Sequence, residues 1–413
     1  MQDFRNNHYV PKWYQKRFIP LTSRERKYYY LDLRPERVTR GGNTHTRAAV
    51  RRLGPASCFF ETDLYTTQFG NWINTDIEKL FFGRVDTEGR AAVEYWTNFR
   101  HPSVKHEAFQ EFIPYLSLQK LRTPKGLLQL SELAQVRDKN AVLIGMQKLR
   151  NLYGAVWAES VWTILDASQS PTKFILSDHP VTTYNRACFP GSAQCRGHRD
   201  PEVTLNASHT IFPLSLDKML VLTNLPWARN PYGNPMTHRP NPALLRRSGL
   251  FNFMHVQTGR ALSETEVMEI NFVIKQLAFR YVAAGEFAWL FPEEYIRMPM
   301  WDKLGGGYLF MPDPRSIENT VETLLLYGGG RSEAFDPYGR QPAQHGYGKP
   351  ASADDSDSLL AFQGEYARVF GPKRRGLTFQ VGRTTRDEDS PEFHAYHLAL
   401  EAKHKGRVRR WRR

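Results

Sequence analysis

Cysteine is scarce in this sequence, and the three that occur, Cys58, Cys188 and Cys195, show no CxxC spacing. An odd number without paired spacing predicts neither a disulfide framework nor a structural zinc site, and it favours a reducing compartment. No stretch approaches the roughly 20 consecutive apolar residues of a membrane span. The polar opening MQDFRNNHYVP lacks the apolar core of a secretion signal. We therefore expect a cytoplasmic protein that does not enter a membrane.

Several catalytic signatures are missing as well. No Gly-Lys-Ser/Thr follows the glycine runs at residues 305–307 and 328–330, so neither run predicts a phosphate-binding loop. The chain also has no GxSxG and no HExxH motif. These absences argue against a P-loop nucleotidase, a nucleophile-elbow hydrolase and a zinc protease of the HExxH class.

What the sequence does have is an ordinary globular composition with many aromatic residues. Hydrophobic residues make up 41% and charged residues 24% of the 413 positions, as in folded rather than disordered proteins. The length favours two to three domains. Aromatic residues contribute 13%, which is enough to fill large cores and to leave flat rings for stacking on bases or sugars.

The net charge of +14 is concentrated at the two ends of the chain. Residues 1–52 hold 13 Lys and Arg against 4 Asp and Glu, and residues 372–413 hold 12 against 5, whereas the long middle holds 31 against 33. Such segregation favours a polyanionic partner, above all nucleic acid, because each Lys or Arg docked on a phosphate releases a counterion. The alternatives are an acidic protein, a membrane surface, and basic ends that are merely solvated.

The candidate nucleic-acid-binding residues lie in these two basic ends. They are Arg17, Arg51, Arg52, Arg407, Arg409, Arg410, Trp411 and Arg412. In the tail KGRVRRWRR the arginines flank a Trp, a combination typical of an arm that grips a phosphate backbone and stacks on a base. A frayed terminus is the alternative. The sequence does not distinguish RNA from DNA, and it leaves a protein partner open.

Hydrophobic periodicity predicts an α+β fold. We expect N-terminal strands, a helical middle, a β-rich segment closed by a helix, and a C-terminal extension with a weaker pattern. The predicted helices cover residues 73–96, 104–122, 139–165 and 264–283, the last opened by a Ser263-x-x-Glu266 capping box. The predicted strands cover residues 28–33, 58–65, 174–177, 181–184, 209–215 and 219–225.

The predicted domain boundaries follow this pattern and the composition. Residues 1–285 form the α+β core, and residues 286–327 form a small C-terminal module. Residues 328–358 are rich in Gly, Pro, Ser, Gln and Asp and are interpreted as a linker or long loop. Residues 359–413 form a basic C-terminal segment.

The N-terminal stretch NNHYVPKWYQKRF resembles the opening of a bacterial family of unknown function, whose members begin on Asn-His-Tyr-Val-Pro. The stretches LQKLRTP, FILSDHP and FPLS are similar to later parts of that family, as is the helix containing Asn271 and Arg280. The resemblance spans roughly residues 5–285 and departs from the family at His179, where Asn is more usual, and after Tyr14, where a Leu-like residue is more usual. It implies the fold and a candidate polar site, and the family's bacterial setting implies an antiviral or toxin-like effector.

The candidate catalytic residues, His8, Gln119, Arg122 and Asp178, fall in these family-like stretches. A His near neutral pKa can move a proton, an Asp can orient it or hold a metal, and an Arg can take up charge on a phosphate. Each also has a structural explanation. Asp178 before Pro180 suits an Asx-turn, Arg122 suits a helix C-terminus, and His8 suits a hydrogen-bonded core histidine. Further members of the constellation are Ser177, Glu78 and Glu88.

The sequence therefore supports two hypotheses. The first is a nuclease-like hydrolase, an RNase being one form of it, in bacterial defence or as a toxin. His8 would be its general acid or base, Asp178 the orienter or a metal ligand, and Arg122 with Gln119 would bind the scissile phosphate. The second hypothesis is a non-catalytic nucleic-acid-binding or ribonucleoprotein component.

No dedicated metal site is predicted, and a divalent cofactor such as Mg²⁺ or Mn²⁺ stays open. Four residues near the C-terminus, His394, His397, Glu401 and His404, share one helical face by their spacing. A solvated face is the preferred interpretation of that spacing over a metal site.

Overall fold

The computed structural model describes the chain from residue 6 to residue 410 with several gaps. The described residues are 6–40, 43–65, 67–69, 72–74, 82–100, 106–148, 153–195, 199–239, 256–296, 300–317, 323–326, 330, 332–336, 340–348, 354–378 and 390–410. The fold is α+β, as the hydrophobic periodicity predicts. Within these residues, no helix combines the length and the apolar character that crossing a bilayer requires.

Short strands dominate the N-terminal part, helices the middle, and longer strands the region that follows. The strands are β1 (Asn6–His8), β2 (Tyr28–Asp32), β3 (Arg37–Arg40), β4 (Asn43–Thr46), β5 (Val50–Leu53), β6 (Phe60–Thr62), β7 (Thr67–Phe69), β8 (Trp72–Asn74), β9 (Ser160–Asp166), β10 (Leu176–Ser177), β11 (Thr182–Asn185), β12 (Ser208–Pro213), β13 (Lys218–Asn224), β14 (Val256–Ala261), β15 (Tyr281–Ala284), β16 (Thr323–Leu326) and β17 (Ser332–Phe335). The helices are α1 (Lys12–Gln15), α2 (Gly83–Thr97), α3 (His106–Leu121), α4 (Pro124–Ala134), α5 (Lys139–Lys148), α6 (Gly154–Ala158), α7 (Leu225–Arg229), α8 (Glu264–Leu277), α9 (Asp354–Phe370) and α10 (Pro391–Arg410).

The larger sheet has the strand order β11-β12-β13-β9-β14 and is antiparallel except where β14 pairs with β9. Its centre is formed by β9 and β13, which stay paired from Asp166 with Lys218 to Ser160 with Asn224. The sequences of these strands, SVWTILD and KMLVLTN, are rich in branched and apolar residues, and almost every position is buried. Such continuous apolar runs are typical of strands that are covered on both faces.

The smaller sheet has the order β10-β15-β2-β5 and is antiparallel throughout. Its strand β2 is the aromatic segment YYYLD. Tyr30 stacks on Tyr281 of β15 with ring centroids 5.0 Å apart, and the Tyr28 hydroxyl donates to Oε1 of Gln15 at 2.6 Å. This sheet therefore fixes the basic N-terminal region to residues near 280.

Helices α2 and α3 pack closely and join the larger sheet through aromatic residues. A Cβ atom on Gly89 would lie 2.3 Å from Cδ2 of Tyr115, so the close approach of the two helices requires glycine. Trp96 of α2 lies 4.9 Å from Trp162 of β9, and Phe112 of α3 lies 5.8 Å from the same ring, measured between centroids. Aromatic pairs of this kind contribute about 0.5–1.5 kcal/mol beyond the area they bury.

The helices near the C-terminus pack on a separate, smaller buried cluster. Phe362 and Tyr366 of α9 share a buried cluster with Trp227 and Met311. Helix α10 packs along α9 so closely that a Cβ atom on Gly364 would lie 2.3 Å from the backbone nitrogen of Glu401. The predicted domain boundaries stay predictions, but side chains on either side of residues 285 and 358 are in direct contact.

Parts of the predicted secondary structure are wrong. Residues 72–74 form β8, paired with β7, so α2 begins at Gly83 rather than near residue 73. Residues 139–165 form α5, α6 and β9 instead of one long helix, because an apolar run that is buried on all sides fits a helix and a covered strand equally well. The capping box of Ser263 and Glu266 is confirmed, although α8 ends at Leu277 and residues 281–284 form β15.

The prediction drawn from the cysteine count, that no disulfide framework occurs, misses one disulfide. Cys188 and Cys195 form a disulfide, with Cα atoms 5.2 Å apart. Turns bring them together, since Ser192 N donates to the Phe189 carbonyl at 2.9 Å and Cys195 N donates to Oγ of Ser192 at 3.1 Å. The spacing of seven residues carries no signal for this pairing, which depends on the local turns.

Candidate functional site

The junction of α3 and α4 carries a cluster of buried polar side chains. This polar hub consists of Gln119, Lys120, Arg122, Thr123 and Lys125, together with His179 and Asp200, which bond to them. Thr123 caps α4, because its Oγ1 accepts a hydrogen bond from Gly126 N at 3.1 Å and Pro124 occupies the first position of the helix. A Cβ atom on Gly126 would lie 2.1 Å from the carbonyl oxygen of Lys120, so the tight junction requires glycine.

Gln119 and Arg122 face the N-terminal strand and α2. Nε2 of Gln119 donates to the Tyr9 carbonyl at 3.0 Å, and its Oε1 accepts from Nε of Arg122 at 2.8 Å. Nη1 of Arg122 lies 2.8 Å from Oδ1 of Asp86. Burial lowers the pKa of Arg122, but Asp86, Tyr115 and Tyr65 together outweigh it, so the pKa is raised overall and the guanidinium stays charged.

Lys120 and Lys125 face the opposite side of the hub, towards Asp200. Their Nζ atoms lie 2.8 and 2.6 Å from the two Asp200 oxygens, and Nε2 of His179 lies 3.0 Å from Oδ2. Lys125 also donates to the Leu277 carbonyl at 2.6 Å. Two cations and one carboxylate are thus held together in the protein interior.

The charges in this group fix the tautomer of His179. Burial would raise the pKa of Asp200, but Lys120 and Lys125 hold it well below its usual range. Burial lowers the pKa of His179 to about 4, so its imidazole is neutral at pH 7. Because Asp200 is ionised, Nε2 of His179 must donate to it, and Nδ1 must accept from the Thr123 hydroxyl at 2.7 Å. The hydrogen bonds therefore run from the Thr123 hydroxyl to the His179 imidazole, and from the imidazole to the Asp200 carboxylate.

Asp178 is occupied by backbone amides. Oδ1 accepts from Phe279 N at 2.8 Å, and Oδ2 accepts from Arg280 N at 2.6 Å and from Tyr281 N at 2.8 Å. Burial raises the pKa of Asp178, and the three amides act in the opposite direction. The side chain closes the connection between α8 and β15, which is the task of a structural acceptor.

His8 lies half-buried on β1, opposite Phe60 of β6. Its Nε2 lies 3.3 Å from the Ala56 carbonyl, and burial followed by Lys12 lowers its pKa. Its neighbour in the chain, Tyr9, is the residue that accepts from the hub.

Of the four predicted catalytic residues, Gln119 and Arg122 bond directly to each other within the part of the chain that the structure describes. The catalytic role of all four stays a prediction. Among the further members, Ser177 accepts from His179 N at 3.2 Å, whereas Glu88 pairs with Arg84 on the surface. Glu78 lies outside the described residues.

A cavity of about 480 Å³ opens beside the hub. Lys120 and Asp200 form part of its wall together with Tyr153, Arg199 and Glu202. Burial, with Asp200 and Glu202, raises the pKa of Tyr153 to about 12. Lys120 and Asp200 are engaged with each other, and Arg199, which is largely exposed, pairs with Glu132 at 2.9 Å.

The predicted nucleic-acid-binding residues of the N-terminal region occupy different environments. Arg17 is half-buried, donates to the Leu214 carbonyl at 2.7 Å and pairs with Glu94 at 2.5 Å. Arg51 and Arg52 are exposed on β5, the outermost strand described in the smaller sheet. Of these three, Arg51 and Arg52 are therefore the better placed to meet a ligand.

The basic tail is only partly described. Arg407, Arg409 and Arg410 lie in the last turns of α10. Trp411 and Arg412 lie outside the described residues.

Next to Arg52 is a row of three rings with a basic residue at each end, here termed the Tyr29 surface. It consists of Arg52, Tyr29, Phe287, Phe291 and Lys275. The Arg52 guanidinium lies 5.1 Å from the Tyr29 centroid, the rings of Tyr29, Phe287 and Phe291 follow at 5.7 and 5.0 Å, and Nζ of Lys275 lies 4.6 Å from the Phe291 centroid. Phe287 is 50% exposed although it is fully apolar. Tyr29 and Phe291 are partly buried, and Lys275 is buried and paired with Glu293, so Arg52 is the exposed cation of this surface. A ring exposed beside a cation is typical of surfaces that bind nucleic-acid strands.

No group of three or more His, Cys, Asp or Glu that could hold a metal ion occurs among the described residues. The predicted histidine face of α10 is directed against α9 rather than into solvent. His404 contacts Asp357 through Nδ1 at 2.8 Å, Glu401 pairs with Arg368 at 3.0 Å, and His397 bonds the Phe393 carbonyl. Its preferred interpretation as a solvated face is therefore wrong, because the helix pairing could not be seen in the sequence.

A family model described as a protein of unknown function (DUF4238) matches residues 6–286. The chain belongs to the DUF4238 family. The resemblance to a family of unknown function is thereby confirmed. The DUF4238 region contains the polar hub, Asp178, and both sheets described above, whereas α9 and α10 lie beyond it. No curated protein and no solved structure matches the chain.

Four polar residues of the DUF4238 region were not among the candidates, namely Lys120, Lys125, Asp200 and His179. The sequence did carry a signal for the two lysines, because both stand in the largely apolar stretch LQKLRTPKGLL, which predicts burial. A buried Lys almost always has a partner of opposite charge. Asp200 follows a polar loop and carries no such signal. Phe287 was missed for a similar reason, since its exposure depends on the position of a turn after β15.

Proposed function

We propose that this protein binds single-stranded nucleic acid across the Tyr29 surface. The observation that carries the proposal is the row of three rings beside the exposed Arg52, with Phe287 half-exposed at its centre. Successive bases stack on such rings, and each stacking contact is worth about 1–3 kcal/mol. The bases in a duplex are already stacked on one another, so a single strand is the form that can use this surface.

The charge distribution supports the same proposal. The Tyr29 surface borders β2 and β5, which belong to the N-terminal region with its excess of Lys and Arg. Arg51, on the same edge strand, is exposed too, but it pairs with Tyr30 and projects from the opposite face of the sheet. Arg52 would neutralise a phosphate while the rings hold bases, so both parts of a nucleotide find a partner.

The test is fluorescence anisotropy with a labelled 12-nucleotide single strand, as RNA and as DNA, and with the matching duplex. We expect the single strands to bind more tightly than the duplex, with an affinity that falls as salt is raised. The double variant Tyr29→Ser/Phe287→Ser should lose roughly 10- to 1,000-fold in affinity, as expected for one or two stacking contacts.

The matched control is Leu128→Ser, because Leu128 is an exposed apolar residue on α4, outside the Tyr29 surface. It should leave the affinity unchanged. An affinity that is insensitive to salt, or equal losses in the control and the double variant, would contradict the proposal.

The tail is tested separately by ending the chain after Gly406, which keeps the contact between His404 and Asp357. This removes the candidates Arg407, Arg409, Arg410, Trp411 and Arg412. If the tail is an electrostatic arm, the salt dependence of binding should become shallower with little change in base preference. An unchanged salt dependence would remove the tail from the proposal.

A nuclease-like hydrolase, acting on RNA in a bacterial defence or toxin setting, is the second candidate function. The observation that favours it is the order hydroxyl, imidazole, carboxylate in Thr123, His179 and Asp200, which is an arrangement that activates a hydroxyl. Thr123 and His179 are fully buried, so neither can touch a substrate in this structure. The hydrolase therefore ranks below binding.

Purified protein incubated with RNA and with single-stranded DNA, with and without Mg²⁺ or Mn²⁺, tests the hydrolase. If His8 is its acid or base, His8→Ala should abolish cleavage, whereas His238→Ala, an exposed histidine elsewhere, should not. Cleavage that survives His8→Ala would remove His8 from the mechanism. In that case His179→Asn tests whether Thr123, His179 and Asp200 carry the reaction.

We further propose a cytoplasmic location, and the disulfide between Cys188 and Cys195 provides the test. In a reducing cytoplasm Cys188 and Cys195 should react as free thiols when living cells are lysed into an alkylating reagent. A bridge that is fully oxidised in such cells would contradict this location.

A further inference from the structure

A second cavity, of about 260 Å³, lies between the larger sheet, residues 301–311 and α9. It is separate from the polar hub and from the Tyr29 surface. Its volume is near the lower end of small-molecule sites, which span roughly 300–1,000 Å³. A single ring system fits a space of this size better than a chain of several units.

Two stacked pairs of aromatic rings line this space, here termed the aromatic cavity, and each pair is termed one wall. On one wall Tyr184 stacks on Trp301 with centroids 6.2 Å apart. On the other wall Tyr308 stacks on Phe362 at 6.3 Å with an interplanar angle of 6°. Aromatic rings of both pairs thus border the cavity, and a planar ligand can pack against their exposed edges and faces.

Two further aromatic rings pack on Trp301. Phe189 stacks on Trp301 with centroids 5.5 Å apart and an angle of 7°, and Phe272 lies 5.3 Å from the same ring. The Tyr184 hydroxyl also donates to the Trp301 carbonyl at 2.5 Å. A ligand would find these rings already positioned, which reduces the entropy lost on binding.

Charged groups of opposite sign stand between the walls. The Arg186 guanidinium lies 4.8 Å from the centroid of Trp227 and donates to the Pro231 carbonyl at 3.3 Å. Glu365 accepts from the Tyr232 hydroxyl at 2.9 Å and from the Tyr308 hydroxyl. Each carboxylate oxygen has a second lone pair, so Glu365 can accept from a ligand as well.

His209 adds a further acceptor. The Thr223 hydroxyl donates to the Phe310 carbonyl at 3.2 Å, so it must accept the 2.9 Å hydrogen bond from Nδ1 of His209. This places the proton on Nδ1 and a lone pair on Nε2. Burial, with Arg186 nearby, lowers the pKa of His209 to about 3, so the imidazole is neutral at pH 7.

We propose that the aromatic cavity binds a guanine base. Guanine has two adjacent N–H donors on its Watson–Crick edge, which suit the Glu365 carboxylate, and two adjacent acceptors, O6 and N7, which suit an arginine. Its flat faces suit the walls of Trp301 and Tyr308. Adenine, cytosine and uracil each lack one of the two pairs.

The proposal concerns the free nucleoside and does not depend on strand binding at the Tyr29 surface. Titration of the protein with guanosine, adenosine, cytidine and uridine, followed by calorimetry and by Trp fluorescence, tests it. Guanosine should bind saturably and more than about 10-fold more tightly than the other three, because an unmatched hydrogen-bonding pair leaves buried groups unsatisfied.

Two ligand analogues test the contacts without altering the protein. Inosine lacks the exocyclic amine that Glu365 would accept from, and 7-deazaguanosine lacks N7, the acceptor assigned to Arg186. Each should bind more weakly than guanosine by roughly 10-fold, the value of one hydrogen bond to a charged group. Equal affinity for inosine and guanosine would overturn the assignment of Glu365.

On the protein side, Glu365→Gln should weaken guanosine binding by more than about 10-fold. The matched control Asp217→Asn, an exposed carboxylate on the turn before β13, should not weaken it. The variant Tyr29→Ser/Phe287→Ser should bind guanosine normally even where strand binding is lost, so the two proposals fail separately.

Carboxylates among rings also suit a quaternary ammonium ion, by cation–π attraction, or a sugar. Tetramethylammonium and methyl glucoside are therefore included as probes. Saturable binding of either in preference to guanosine, or no binding of guanosine up to millimolar concentration, would overturn the proposal.

Discussion

The polar hub and the aromatic cavity make opposite use of charged residues. In the hub, Lys120, Lys125 and Asp200 are bound to one another and to His179. In the cavity, Arg186 and Glu365 border an open volume between aromatic walls. The hub lies in stretches that resemble family motifs, whereas the cavity is formed by stretches without a motif. A motif of polar residues can thus mark what holds a fold together rather than what meets a ligand.

The largest expected effect is the loss of the hub's carboxylate. Asp200→Ala leaves two buried ammonium groups without their counter-charge, so we expect a loss of roughly 3–5 kcal/mol in the free energy of unfolding. Chemical denaturation measures it. The exposed pair of Glu88 with Arg84 is the control, and Glu88→Ala should cost less than about 1 kcal/mol. Equal small losses would mean that the hub is not structural.

The second prediction concerns pH. The pKa of His179 is about 4 in the folded protein, against about 6.5 when unfolded. As pH falls from 6.5 to 4 the unfolded chain takes up a proton that the folded chain does not, so stability is lost in this window and levels off below it. The loss from His179 should approach about 3 kcal/mol. His209, with a pKa of about 3, acts in the same direction down to pH 3.

Denaturation of the protein and of His179→Asn between pH 7 and pH 4 separates the share of His179. The variant should show a shallower fall in stability with decreasing pH. His238→Asn, which replaces an exposed histidine, should retain the steep fall. A variant as steep as the parent protein would show that His179 is not held neutral by the hub.

The third prediction tests Asp178 as a structural acceptor. Asp178→Asn replaces one of two oxygens by a donor, so at least one of the three backbone amides loses its acceptor, at a cost of about 1–3 kcal/mol. Asp138 accepts from a single exposed amide at the start of α5, and Asp138→Asn should cost less than about 0.5 kcal/mol because Asn caps helices equally well. If the parent protein cleaves RNA, an Asp178→Asn variant that is equally stable but no longer cleaves it would favour a catalytic role for Asp178 over a structural one.

The smallest expected effect is on the Tyr29 surface. Phe287→Ser should change the free energy of unfolding by less than about 1 kcal/mol, since half of the side chain is already exposed. The same variant should weaken strand binding. A loss of stability as large as that of Asp200→Ala would place Phe287 in the core and remove the contrast between the two regions.

Much of the fold could be predicted because local patterns decided it. The capping box of Ser263 and Glu266 and the aromatic strand at Tyr28 both carry their own signals in a few residues. The strand at residues 160–166 could not be distinguished from a helix, because its partner β13 lies more than 50 residues further along the chain. Long-range pairing is information that a local pattern does not hold.

The candidate site was likewise predictable only where its contacts are local in the sequence. Gln119 and Arg122 are three residues apart on a helix, and they do bond to each other. What Asp178 binds could not be predicted, since its three partners lie about 100 residues away. The aromatic cavity draws on residues from 184 to 365, and no short stretch contains enough of it to be recognised.

Strand β5 has a further consequence, for solubility. As the outermost described strand of its sheet, it offers backbone groups with which a second copy of the chain could pair. Arg51 and Arg52 stand on this strand, and adjacent positive charges on two chains repel, which keeps such edges apart. Replacing both arginines to test binding would also remove this protection. Light scattering should therefore accompany any measurement on that variant, so that self-association is not mistaken for lost affinity.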